Sequence, residues 1–123
     1  MKKNFFEISK IPIIENPKGN LYKLISKNHS FFDKFGELYI TEVFKNQFKG
    51  WKHYKDRSQI LTVLNGRVKF YLKKKINDKP IVVDIEFPNK MKLLKIYPNT
   101  FYSFKCFSKK KSTVINLINQ IVK

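Results

Sequence analysis

The stretch from residue 50 to residue 72, GWKHYKDRSQILTVLNGRVKFYL, decides the fold. Asn65-Gly66 lies between two β-rich runs, and this dipeptide readily takes the positive φ angles of a tight hairpin turn. After the turn, Val68, Phe70 and Leu72 alternate with charged or polar residues, which places three apolar side chains on one sheet face. We therefore predict a β-hairpin around residues 65–66 whose second strand faces a core.

A polar segment comes directly before this predicted hairpin. Residues 52–59 interrupt the hydrophobic pattern with ionisable and aromatic side chains, and Trp51, the only Trp, adjoins them. His53 lies within the segment, and imidazoles exchange protons near neutral pH. A dense group of such side chains beside a buried strand pair is where we expect the chemistry of the protein.

The composition predicts one soluble domain covering residues 1–123. No run approaches the roughly 18 apolar residues of a membrane span, and Met1-Lys2-Lys3-Asn4 is not followed by a signal-peptide hydrophobic region. We therefore expect a cytoplasmic protein without a membrane partner. The single cysteine, Cys106, excludes an internal disulfide and a thiol-rich metal site, and a small packing residue is the simplest role for it.

The formal net charge of +17 raises the question of nucleic-acid binding. Only Arg57 and Arg67 among the 26 basic residues are Arg, whereas reading phosphates or bases commonly uses the bidentate guanidinium. The lysines are spread along the chain, so we expect no nucleic-acid partner and instead a preference for anionic small molecules. Aromatic residues exposed beside a lysine-rich groove would favour nucleic acid after all.

Short β-rich runs separated by turn residues continue along the chain. About nine strands at roughly ten-residue spacing, without an amphipathic helix, indicate an all-β barrel or double-sheet jelly roll. The β-branched residues of the last run favour a strand over a short helix. Besides the central pair, the strand candidates are residues 11–14, 21–25, 35–44, 48–54, 81–87, 91–97, 101–107 and 112–122.

Several segments together resemble a known family. The segment KGWKHYK at residues 49–55, followed by LTVLNGRVKF at 61–70, is similar to the cupins related to dTDP-4-dehydrorhamnose 3,5-epimerase. FGELY at 35–39, IYPNTFYSF at 96–104 and TVINL at 113–117 extend the resemblance over residues 20–118. The resemblance implies a cupin-type double-stranded β-helix, that is, a jelly-roll barrel, and a homodimer.

The departures from that family concern the expected catalytic positions. The two inward-facing positions after the motif glycine, which often hold His in cupins, are Lys52 and Tyr54 here, and a later position is Tyr102. Because side chains alternate across a strand, His53 should point to the opposite face from Lys52 and Tyr54. Two His without His-x-His spacing cannot supply a cupin metal centre, so we expect no metal.

The resemblance implies proton abstraction beside the ketone of a nucleotide-linked 4-keto-6-deoxy sugar in surface-polysaccharide biosynthesis, with no cofactor. Such chemistry needs a base, a group that stabilises the enolate, and an acid. Lys52, matching the family's His, is the candidate base or enolate partner, Tyr54 or Tyr102 the candidate acid, and His53 a further catalytic candidate.

A structural role for the same residues is the alternative. Lys52 pairs with Glu37 or Glu42 in that case, and the two tyrosines and Trp51 are packing residues. The protein would then be a non-catalytic sugar-binding or partner cupin that has lost the catalytic His.

Overall fold

The computed structural model of the protein describes residues 5–122 and places eleven strands and no helix in them. The predicted all-β double-sheet architecture is therefore confirmed. The predicted last run, residues 112–122, forms a strand up to Ile118, as its β-branched residues indicate. The strand at Phe6–Lys10 was not predicted. The strands are β1 (Phe6–Lys10), β2 (Ile13–Ile14), β3 (Leu21–Tyr22), β4 (Glu37–Phe44), β5 (Phe48–Tyr54), β6 (Gln59–Asn65), β7 (Arg67–Lys73), β8 (Ile81–Glu86), β9 (Lys92–Ile96), β10 (Thr100–Cys106) and β11 (Lys111–Ile118).

Two antiparallel sheets form the body of the fold. The larger has the strand order β1-β9-β6-β11-β4, the smaller has the order β5-β10-β7-β8, and β2 with β3 forms a separate short ribbon. Consecutive strands therefore often lie in different sheets, as in a jelly roll. Strands β4 and β5 are edge strands of the two sheets, so one side of the barrel is bounded by two unpaired strand edges.

The core between the sheets comes from the alternation visible in the sequence. In β7, Val68, Phe70 and Leu72 are fully buried, and the residues between them are partly exposed. A second apolar cluster, which includes Ile11, Phe31, Ile60 and Leu93, lies apart from this core. Burying each large apolar side chain contributes roughly 1.5–3 kcal/mol.

The predicted hairpin at Asn65-Gly66 is wrong, although the turn is present. Strand β6 pairs with β9 and β11, and β7 pairs with β8 and β10, so the chain changes sheets at Gly66. The turn is held by serines instead of hairpin hydrogen bonds: the Arg67 amide donates to Ser108 Oγ at 2.8 Å, and Ser112 Oγ donates to the Arg67 carbonyl at 3.0 Å. A turn dipeptide specifies the reversal, but distant strands decide the pairing.

Gly66 has a φ of +81°, and a Cβ atom there would collide with Ser108 Oγ and Ser112 Oγ. We expect Gly66→Ala to lower the free energy of unfolding by about 1–3 kcal/mol, measured by urea denaturation. Gly19→Ala is the matched control, because Gly19 also has a positive φ but lies in an exposed loop with open space around it. Equal losses in both variants would show that the serine contacts do not constrain the turn.

Candidate active site

The pairing of β5 with β10 decides which motif residues face the barrel interior. Lys52 lies opposite Tyr102, and Tyr54 lies opposite Thr100, so all four side chains share one face. Tyr102 is 3% exposed and belongs to the core, Tyr54 packs against that core, and the Tyr54 and Tyr102 ring centroids lie 6.3 Å apart. The structure therefore brings Lys52, Tyr54 and Tyr102 together on the inner face.

His53 lies on the outer face, as the alternation predicts. It pairs with Phe101 across the strands, and the two ring centroids are 4.3 Å apart. The other histidine, His29, accepts a hydrogen bond from the Phe31 amide at Nδ1 over 3.0 Å, which gives it a structural place in a turn. Neither imidazole joins the inner-face group.

A polar network fixes the inner end of this group. The Tyr102 hydroxyl donates to Gln59 Oε1 at 2.9 Å, and Asn116 Nδ2 donates to the same oxygen at 2.9 Å. Gln59 is 3% exposed, so the acceptor is shielded from water. Asn116 Oδ1 is also buried and has no hydrogen-bond partner among residues 5–122. A buried acceptor without a partner costs free energy, because the atom has lost its hydration.

Burial raises the pKa of Tyr102 far above its ordinary value. The phenol therefore keeps its proton at neutral pH and directs it to Gln59. This geometry favours a positioning role for Tyr102 and leaves Tyr54, which is half-buried, as the more accessible phenol.

Three further side chains, which the sequence analysis did not assign to the site, complete the group. The Arg57 guanidinium carbon lies 4.0 Å from the centroid of the Tyr54 ring, and Arg57 Nε donates to Asp56 Oδ1 at 3.0 Å. On β4, Tyr39 shares a side-chain hydrogen bond with Glu37, which lowers the pKa of Glu37 and raises that of Tyr39. In β4, Tyr39 lies on the same side as the buried Val43, whereas Arg57 follows β5 in a loop and carries no periodic signal.

Lys52 has no ion-pair partner among the residues that the structure describes. The alternative in which Glu37 or Glu42 neutralises it is not observed. Glu42 pairs with Lys111, and Glu37 is bound by Tyr39 and the Val122 amide. Lys52, a half-buried residue, is therefore available to a ligand.

Within residues 5–122, no three His, Cys, Asp or Glu side chains come close enough together to hold a metal ion. No helix in this part of the chain is long and apolar enough to cross a membrane. Cys106 is fully buried in the core, where it packs as the sequence suggests.

A family model covers this arrangement almost from end to end. Residues 4–121 match the FdtA model, described as WxcM-like, C-terminal. The chain belongs to the FdtA family. No curated protein matches the sequence.

Solved structures share the fold of this FdtA family member. A dTDP sugar isomerase from Desulfovibrio desulfuricans is 22% identical, with a TM-score of 0.87 over 96% of this chain and 78% of the other. A sugar 3,4-ketoisomerase from Thermoanaerobacterium thermosaccharolyticum, in complex with TDP, is 23% identical, with a TM-score of 0.81 over 98% and 84% of the two chains.

An epimerase shows the same architecture. The dTDP-6-deoxy-D-glucose-3,5-epimerase of Legionella pneumophila is 12% identical, with a TM-score of 0.85 over 100% of this chain and 71% of the other. These likenesses confirm the predicted cupin jelly roll and the predicted structural resemblance to the dTDP-4-dehydrorhamnose 3,5-epimerases. That residues 1–123 form a single cupin domain stays a prediction, as do the catalytic assignments.

We expect Tyr102→Phe to lower the free energy of unfolding by about 1 kcal/mol at pH 7, because the hydrogen bond to Gln59 is lost. Above pH about 10 the ordinary phenol ionises in the unfolded chain, while folded Tyr102 must keep its proton. Stability of the unsubstituted protein should therefore fall more steeply with pH than that of the variant in denaturant titrations. Tyr71→Phe, on the outer face, is the control; parallel pH profiles for Tyr102→Phe and the unsubstituted protein would contradict the assignment.

Proposed function

We propose that this FdtA family member binds a dTDP-linked 4-keto-6-deoxy sugar at the inner-face group and isomerises it by proton transfer beside the ketone. The observation that carries the proposal is the Lys52 amino group, which has no ion-pair partner among residues 5–122, beside the Tyr54 phenol at the inner face of a cupin barrel. Structural relatives that bind or act on dTDP and its sugars support the substrate class.

Charge in the site suits a nucleotide diphosphate. Arg57, which Asp56 holds in place, presents its guanidinium for a diphosphate, and the Tyr54 ring, against which Arg57 is stacked, offers an apolar surface for a sugar. The strongly basic chain adds a favourable long-range field for an anionic substrate.

The chemistry needs two groups that exchange protons with the sugar. Lys52, as the amine, takes the proton from carbon three; the electron pair of that C–H bond forms the double bond between carbons three and four, and oxygen four receives the Tyr54 proton. Loss of the hydroxyl proton at carbon three to Tyr54, with proton return from Lys52 to carbon four, yields the 3-keto sugar and restores both residues.

A 3,5-epimerase begins with the same proton removal, and the sequence resemblance favoured that outcome. The 3,4-ketoisomerase outcome has the better support, because the two isomerases share 22% and 23% of their residues with this chain, against 12% for the epimerase. The product would enter surface-polysaccharide biosynthesis in the cytoplasm.

A binding protein without turnover is the second candidate function. The observation that favours it is that His53 lies on the outer face and His29 in a turn, so no imidazole joins the inner-face group. Such a protein would hold the same nucleotide sugar without exchanging its protons.

Deuterium exchange at carbon three of dTDP-4-keto-6-deoxyglucose in heavy water, followed by NMR, tests the proposal. We expect exchange with the unsubstituted protein and a loss of about 100-fold or more in Lys52→Met and Tyr54→Phe, because proton-transfer groups contribute that much. His53→Asn is the matched control, since this neighbouring side chain faces outward, and it should keep the full rate. Saturable binding without exchange would favour the binding protein.

We also propose that the chain forms a homodimer through the outward side chains of β4. Leu38, Ile40 and Phe44 are 56%, 65% and 61% exposed, and β4 is an edge strand with free backbone groups. The eight residues of β4 contain no lysine in a chain with a net charge of +17, so two copies of this strand can approach without strong repulsion. A second copy is the partner that best fits this surface.

Light scattering after gel filtration tests the dimer. We expect the unsubstituted protein to show twice the chain mass of 14.7 kDa, and Ile40→Lys to shift it toward the single-chain mass by placing a buried charge in the interface. Ile76→Lys is the control, because Ile76 is equally exposed at 65% but lies in the turn after β7. A monomer before substitution, or a dimer that survives Ile40→Lys, would contradict the assignment.

A further inference from the structure

The outer face of the smaller sheet carries a row of aromatic rings. Phe48, Trp51 and Phe107 are 44%, 42% and 39% exposed. The Phe48 ring centroid lies 6.3 Å from that of Trp51 and 6.5 Å from that of Tyr71, and the stacked pair of His53 and Phe101 lies on the same face. We call this set the outer aromatic face; its rings are those of Phe48, Trp51, His53, Tyr71, Phe101 and Phe107.

Lysine ammonium groups lie over several of these rings. Lys73 Nζ is 4.3 Å from the Trp51 centroid, and Lys69 Nζ and Lys105 Nζ are 4.7 and 5.5 Å from the Phe107 centroid. A cation over one side of a ring is stabilised there and leaves its charge available to an anion beside the ring.

Little negative charge opposes these lysines. Asp84, on the outward side of β8, is bound by two Arg67 nitrogens at 3.0 and 2.6 Å, and Lys90 Nζ lies 3.9 Å away. Glu86 lies at the end of the same strand, opposite Arg67. The outer aromatic face is therefore basic, with its acidic groups confined to β8.

A bulge in β5 creates this surface. Lys52 pairs with Tyr102 and Lys49 with Phe104, so three steps along β5 match two along β10. Simple alternation would put Phe48 on the inner face with Lys52; the bulge turns it outward beside Trp51. The outer aromatic face is thus separated from the proposed sugar site by the thickness of the sheet.

We propose that the outer aromatic face binds single-stranded nucleic acid. Bases stacking on successive exposed rings, with lysines along the phosphate backbone, are the means by which sheet surfaces hold single strands without sequence preference. The scarcity of Arg argued against reading bases in a duplex groove, but stacking on rings needs only phosphate neutralisation by Lys. This proposal departs from the expectation of no nucleic-acid partner and is independent of the proposed sugar isomerisation.

The test uses Trp51 as a built-in probe, since it is the only Trp in the chain. We expect a fluorescein-labelled oligothymidylate of about ten nucleotides to bind in anisotropy titrations and to quench Trp51 fluorescence by stacking. The logarithm of affinity should fall with the logarithm of salt concentration with a slope of about −2, as expected for three lysines on a single strand. Inorganic polyphosphate at equal charge should bind more weakly and leave the fluorescence unchanged.

Matched variants separate stacking and charge from general effects. Phe107→Ala should weaken oligothymidylate binding about tenfold, whereas Phe35→Ala, which removes a ring of 66% exposure elsewhere, should not. Lys73→Gln should lower the salt slope by about 0.7, and Lys23→Gln, in the loop after β3, should leave it unchanged. Absence of binding at low salt, equal quenching by polyphosphate, or equal losses in both Phe variants would each overturn the proposal.

Discussion

The antiparallel pairing of β5 with β10 is the constraint on which both faces of the smaller sheet depend. Because Lys52 pairs with Tyr102, the side chains of Lys52 and Tyr54 face the inside of the barrel and His53 faces outward. A shift of one residue would exchange these faces and bring the imidazole inward. The register is held by the buried Tyr102 side chain, whose hydroxyl reaches Gln59 on the opposite sheet.

The bulge next to this pairing has its own physical basis. Gly50 lies where an added Cβ would come within 2.7 Å of Ser103 Cβ, so the two strands approach more closely than side chains normally allow. The glycine of the motif therefore has a local role: it admits the extra residue that turns Phe48 outward while Lys52 stays inward.

The inner-face group combines tightly held and available side chains. Tyr102, Gln59 and Asn116 share one hydrogen-bond network, and Arg57 is held against Tyr54 and Asp56. Lys52 alone among the group's cations has no such partner in residues 5–122. Rigidly held neighbours around one unpaired cation are typical of a binding site, whereas a structural ion-pair network leaves no cation unpaired.

Local pattern in the sequence determined most of the strands and the inward side of β7, because alternation with period two is a property of neighbouring residues. The motif resemblance supplied the inward positions of β5 and the family. Only the tertiary structure decided that the Asn65-Gly66 turn joins two sheets, that the β5 bulge reverses Phe48, and that Arg57, Gln59 and Asn116 join Lys52 and Tyr54. Those outcomes depend on contacts between residues far apart in the chain, such as Ser108 and Ser112 with Arg67. Periodicity within one strand carries no information about which distant strand lies beside it.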